Sequence, residues 1–176
     1  DYRIIGWTPD GKNVVFRGNR LPWGARMGRY YQVPVAGGLE TPLAMPETGG
    51  GDLSPDGRKV AYTPIDREFR TWKRYRGGTA QDVRLFDLET GEERNLTSFE
   101  GTDRRPMWIG DRVVFSSDRD RVLNLYALDP ATGDVETWTE HRDYDVRRPN
   151  TDGRRIVYEV GGELWLLDPE TRETRP

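Results

Sequence analysis

Thr8-Pro9-Asp10-Gly11 and Ser54-Pro55-Asp56-Gly57 spell the same turn twice, each followed by a basic residue and then by a short apolar run. In such a turn proline presets φ, aspartate bonds its own backbone two residues on, and glycine accepts positive φ. The runs that follow are Asn13-Val14-Val15-Phe16 and Lys59-Val60-Ala61-Tyr62. Two weaker copies come later: Gly110-Asp111 before Arg112-Val113-Val114-Phe115, and Thr151-Asp152-Gly153 before Arg155-Ile156-Val157-Tyr158. A second phrase trails the last three copies, as in Leu85-Phe86-Asp87-Leu88-Glu89-Thr90-Gly91, Leu125-Tyr126-Ala127-Leu128-Asp129-Pro130 and Leu164-Trp165-Leu166-Leu167-Asp168-Pro169. A looser version runs from Tyr30 to Gly38.

Asp10, Asp56, Asp111 and Asp152 recur at intervals of 46, 55 and 41 residues. Once one insertion is set aside, that spacing matches the period of four-stranded propeller blades. The apolar positions are β-branched or aromatic, and Asp-Gly, Thr-Gly and Gly-Gly turns separate them, which are strand and hairpin signals. The fold class expected is therefore all-β: a β-propeller of about four four-stranded antiparallel blades, either partial or four-bladed. Its 176 residues form one unit, with blades near 1–46, 47–99, 100–141 and 142–176 and an insertion at 65–81 in the second. In the third blade, strands are expected at 105–109, 112–117, 124–128 and 135–138. Both faces of a blade pack on neighbours, so polar and apolar residues need not alternate cleanly.

Composition narrows the function classes. The apolar fraction is 34% and the charged fraction 32%, with six Trp, eight Tyr and five Phe concentrating burial in large side chains. A net charge of −3 gives no basic excess for a phosphate backbone, so nucleic acid is not an expected partner. No apolar run approaches the roughly 20 residues of a membrane span, and no membrane association is expected. Zero cysteines exclude disulfides and thiolate chemistry. The expected location is cytoplasmic.

One stretch is more specific than the generic repeat. Arg67-Glu68-Phe69-Arg70-Thr71-Trp72-Lys73-Arg74-Tyr75-Arg76-Gly77-Gly78, with Glu100-Gly101-Thr102-Asp103-Arg104-Arg105-Pro106-Met107-Trp108 downstream, resembles the N-terminal six-bladed propeller of tricorn-type proteases. More broadly the repeat is similar to those of the Tol-system periplasmic propeller and prolyl oligopeptidase-like enzymes. The resemblance covers essentially the whole chain and implies a fragment, roughly the last four of six blades. It places the family's second propeller, peptide-binding domain and serine protease domain outside this sequence. Gly110-Asp111 in the third blade and the bare Gly49-Gly50-Gly51-Asp52 of the second depart from the repeat.

Within the insertion, Arg70, Lys73 and Arg74 interleave with Trp72 and Tyr75. This segment either receives an acidic peptide terminus or docks a neighbouring domain, or its aromatics staple the loop to its own blade while the cations stay solvated. Arg104-Arg105 and Arg147-Arg148 stand just before Pro106 and Pro149 on inner strands. They either set positive charge around an axial channel that attracts peptide carboxylates or pair locally with Asp103, Asp143 or Asp145. Strand alternation would point only one of each pair inward. Asp118 and Asp120 lack the spacing of a calcium loop, and the aspartates are read as Asx-turn formers. His141 is read as an exposed loop histidine; no Gly-x-Ser-x-Gly accompanies it. No catalytic, metal or cofactor site is expected. The function expected is a non-catalytic scaffold, peptide channel wall and docking surface of a tricorn-like protease, with peptides or other domains of a parent protease as partners. The alternative is a free-standing or engineered propeller for protein–protein interaction, forming homo-oligomers through open end blades.

Overall fold

Each copy of the turn phrase folds into a four-stranded antiparallel meander. The computed structural model describes residues 2–20, 28–65 and 73–176. Blade one comprises β1 (Tyr2–Trp7), β2 (Asn13–Gly18), β3 (Arg29–Pro34) and β4 (Thr41–Pro42). Blade two has β5 (Gly51–Leu53), β6 (Lys59–Tyr62), β7 (Arg84–Asp87) and β8 (Glu93–Asn95). Blade three has β9 (Asp103–Ile109), β10 (Arg112–Ser117), β11 (Asn124–Leu128) and β12 (Val135–Thr137). Blade four has β13 (Arg147–Thr151), β14 (Ile156–Val160), β15 (Glu163–Leu167) and β16 (Thr174–Arg175). Within every sheet the strands lie in chain order, and no helix occurs among the described residues. The chain is an all-β, four-bladed propeller arrangement.

The turns follow their residues. Thr8 Oγ1 donates to Asp10 at 2.7 Å and accepts the Asn13 amide at 3.0 Å, while Gly11 takes φ 67°. Serine repeats this in blade two: Ser54 Oγ donates to Asp56 at 2.6 Å, the Lys59 amide returns to it at 2.9 Å, and Gly57 takes φ 71°. Blade three loses the Pro-Asp-Gly spelling because its strands meet across a two-residue turn, Gly110-Asp111, with Gly110 at φ 59°. At the third-to-fourth strand turns, Asp87, Asp129 and Asp168 each accept two backbone amides. These hairpins gather at one end of the propeller, the turn end. The second-to-third strand connections and the starts of the inner strands lie at the other.

Stability resides between the blades. Val15, Tyr30 and Met45 of blade one pack on Val60, Tyr62 and Phe86 of blade two. Ala61, Val83 and Leu85 then meet Trp108, Val113, Phe115, Tyr126 and Leu128 of blade three. The opposite face of blade three, with Met107, Val114, Leu125 and Ala127, packs against Ile156, Tyr158, Val160 and Leu167 of blade four. Successive residues of β10 and β11 thus feed opposite interfaces, which is why alternation is incomplete in the sequence. The bare inner strand of blade two has a steric cause: a Cβ on Gly51 would collide with the Ala61 carbonyl, the Tyr30 hydroxyl and the Tyr62 Cβ. Asp52 beside it accepts the Trp108 amide at 2.9 Å and so ties the inner strands of blades two and three; burial pushes its carboxyl up to about 6.

The outward faces of the first and last blades are different. Tyr2, Ile4 and Trp7 are 69%, 73% and 59% exposed, and Leu164 is 71% exposed.

Candidate functional site: a basic cleft

Both arginine pairs before Pro106 and Pro149 reach one cleft because the inner strands bulge there. Between Val114 and Ser116 of β10 the partner strand β9 carries one extra residue, and β13 repeats the irregularity between Arg147 and Asn150. At the bulges Arg105 and Arg148 adopt φ 52° and 48°, left-handed values that the proline following each makes harder still to reach. A bulge breaks the two-residue alternation of a strand. Arg104, Arg105, Arg147 and Arg148 therefore all line the same space, and the expectation that only one of each pair turns inward is corrected.

The cleft occupies about 550 Å³ where blades two, three and four converge at the end opposite the turns. Lys73, Arg74 and Tyr75 form its blade-two wall, and Arg121 comes from the β10–β11 connection. Seven cationic side chains line it against three carboxylates, Asp118, Asp145 and Glu159. Each of those carboxylates is engaged: Asp118 with Arg76 at 3.1 Å, Asp145 with Lys73 at 2.9 Å, and Glu159 with Arg148 at 3.4 Å. Asp103, proposed from sequence as a neighbour for the arginine pair, instead receives Arg119 at 3.1 Å; it is fully buried, and desolvation raises its carboxyl above the usual range. Arg74, Arg121 and Arg147 have no carboxylate within ion-pair distance among the described residues.

Backbone conformation marks the same place. Among the described residues, five non-glycines have positive φ, and all five are arginines: Arg74, Arg105, Arg121, Arg148 and Arg172. The first four line this cleft. A left-handed L-residue costs about 1–2 kcal/mol, so such outliers concentrate where a side chain is needed more than a relaxed backbone.

Of the residues singled out in the sequence, Lys73, Arg74, Tyr75, Arg104, Arg105, Arg147 and Arg148 come together here. Arg70 and Trp72 lie outside the described residues. Sequence reading missed Arg121 and Tyr144, whose short turn segments carry no repeat signal. It also misjudged His141, which is half-buried rather than exposed: its Nε2 lies 3.1 Å from the Tyr158 hydroxyl and its ring meets Tyr158 and Trp165 edge-on, with burial lowering its pKa. Asp120 accepts the Tyr126 hydroxyl and Asp118 the Thr102 amide. Among the described residues no group of three or more His, Asp or Glu is placed to hold a metal ion.

The family profile of the tricorn protease N-terminal β-propeller domain matches residues 1–173. A tricorn protease homolog 1 of Streptomyces coelicolor is 34% identical over 168 residues, covering 94% of this chain and 16% of that protein. The tricorn protease of Thermoplasma acidophilum is 30% identical over 174 residues, covering 97% of this chain and 16% of its own length. The crystal structure of the tricorn protease superposes with a TM-score of 0.84 at 26% identity over 99% of this chain and 17% of that one. The chain thus spans about a sixth of the length of these relatives.

Proposed function

Because the chain belongs to the tricorn protease N-terminal β-propeller domain family, we propose that it is a non-catalytic module of a tricorn-like protease whose basic cleft holds the carboxylates of a passing peptide. The observation that carries this reading is the convergence of four left-handed arginines on one cleft. Guanidinium forks match carboxylate geometry, and a concave surface of one sign concentrates counter-ions. In this role the chain is scaffold, channel wall and docking surface, performing no bond chemistry itself. Its partners are peptides and other domains of a cytoplasmic parent protease.

The test compares a fluorescent peptide bearing a free C-terminal carboxylate with the same peptide amidated. The acid should bind more tightly, the difference should shrink with added salt, and Arg147→Glu should weaken the acid about tenfold or more. Equal binding of acid and amide would overturn the reading.

The exposed Tyr2, Ile4, Trp7 and Leu164 support a second role as surfaces for association, since apolar patches of this kind serve interfaces. Light scattering across a concentration series decides it: a mass fixed at that of the monomer counts against self-association.

A further inference from the structure

We propose that Arg76 is a positioning residue for the cleft, pinning the blade-two segment that carries Lys73, Arg74 and Tyr75 onto blade three. The inference rests on the carboxylate-binding reading for its functional meaning, and on separate contacts for its geometry.

Arg76 Nη1 reaches both carboxylate oxygens of Asp118 at 3.1 Å, 42 residues away on another blade. Asp118 is nearly buried and is itself fixed by the Thr102 amide at 2.9 Å. The Arg76 guanidinium lies 5.1 Å from the centroid of Phe99. Arg119 lies over the same ring at 5.3 Å and over Tyr126 at 4.7 Å, while binding the buried Asp103. A phenyl ring met by two guanidiniums, each held by its own carboxylate, gives the pair a rigid seat.

The backbone is shaped to admit that seat. A Cβ on Gly101 would collide with Arg76 Nη1, Asp118 Oδ1 and the Phe99 ring. Gly77 closes the other side, since a Cβ there would collide with the Tyr75 ring. A second tie, Lys73 to Asp145, holds the far end of the segment, but Lys73 is largely exposed and the pair is correspondingly weak. Arg74 and Tyr75 sit between the two ties, and Arg74 is held at φ 54°. The stronger tie is therefore the one whose carboxylate is buried, Arg76 to Asp118, and it decides where the wall of the cleft stands.

Gly101→Ala removes no charge, so with Arg76→Ala it separates positioning from electrostatics. Each variant should weaken the acid peptide about tenfold, the worth of one charge-assisted contact, and leave the amidated peptide unchanged. The double variant should be no weaker than either single one, because both break the same pin. Arg76→Lys should recover part of the loss. Circular dichroism and thermal melting establish that each variant is folded. Amide hydrogen exchange in the segment 73–80 should quicken at least tenfold in both single variants, with β10 and β11 unaffected. Additive losses, or equal losses for acid and amide, would overturn the assignment. If the native chain does not distinguish acid from amide, the carboxylate reading fails; exchange then judges the pin alone, and unchanged exchange in 73–80 overturns it.

Discussion

At the turn end of the propeller a positive φ falls mostly on glycine, and at the cleft end mostly on arginine. Gly11, Gly57, Gly91, Gly110, Gly133 and Gly153 occupy the left-handed positions of the hairpins. Arg74, Arg105, Arg121 and Arg148 occupy those of the cleft, alongside Gly161 and Gly162. The same backbone demand is met at one end by the residue that satisfies it without strain and at the other by residues that satisfy it at a cost. The turn end is shaped for stability, whereas the cleft end gives up stability to keep side chains in place.

The exception sharpens the rule. Arg172 stands at the turn end, where Gly91 and Gly133 stand in blades two and three, and its amide makes the same bond to the aspartate four residues before it. Its guanidinium lies 3.8 Å from the Trp138 ring and pairs with Glu136 at 2.6 Å, both in blade three. Here the strained arginine clasps one blade to the next.

The largest effect expected concerns pH. Hydrogen bonds in their turns lower Asp10, Asp56, Asp87, Asp152 and Asp168 below the ordinary carboxylate value. Their stabilisation is present above that value and is lost as pH falls below about 4. Asp52, raised by burial to about 6, acts in the opposite sense. Its contribution is fully present below the ordinary carboxylate value and declines as pH rises through about 6, by about 2–3 kcal/mol. Denaturant titrations of Asp52→Asn should show that decline between pH 4 and 6 reduced by the Asp52 share, while the part due to the likewise raised Asp103 and the acid-side loss remain. If the decline is undiminished, Asp52 is not a source of it.

Next come two substitutions of opposite sense. Gly57→Ala places a Cβ against Pro9 at a φ of 71° and should destabilise by about 1–2 kcal/mol. Arg121→Gly relieves a strained position at φ 73° and should leave stability unchanged or raise it by up to about 1 kcal/mol, while weakening the acid peptide. A destabilised Arg121→Gly would mean that this arginine holds the fold rather than a ligand. The smallest effect is expected for Arg172→Gly, where relief of strain and loss of the Trp138 and Glu136 contacts should cancel to within about 0.5 kcal/mol in thermal melts.

Much of the fold could be read from the chain because turns and hairpins are local. The sequence reading placed β10 and β11 correctly to the residue and ended β12 one residue late. The inner strand β9 was started two residues late, because Asp103 and Arg104 look like loop until the bulge shows that they pair with Ser117 and Ser116. The same bulge explains why the arginine pairs were legible as candidates while their shared orientation was not. Alternation is a property of regular strands, and the extra residue that breaks it has no signature beyond the repeated Arg-Arg-Pro. The pairing of Asp103 with Arg119 across blade three, and the packing of His141 against Tyr158 of blade four, depend on contacts between residues 16 and 17 positions apart, which no local pattern encodes.

The strict chain order of strands within each sheet has a consequence for how such a chain is made. Every sheet hydrogen bond joins strands that are consecutive in sequence, so a blade needs nothing synthesised after its own fourth strand to complete its pairing. Each finished blade then offers an apolar face to the next, so every interface between described blades also joins neighbours in chain order, and assembly needs no contact between distant blades.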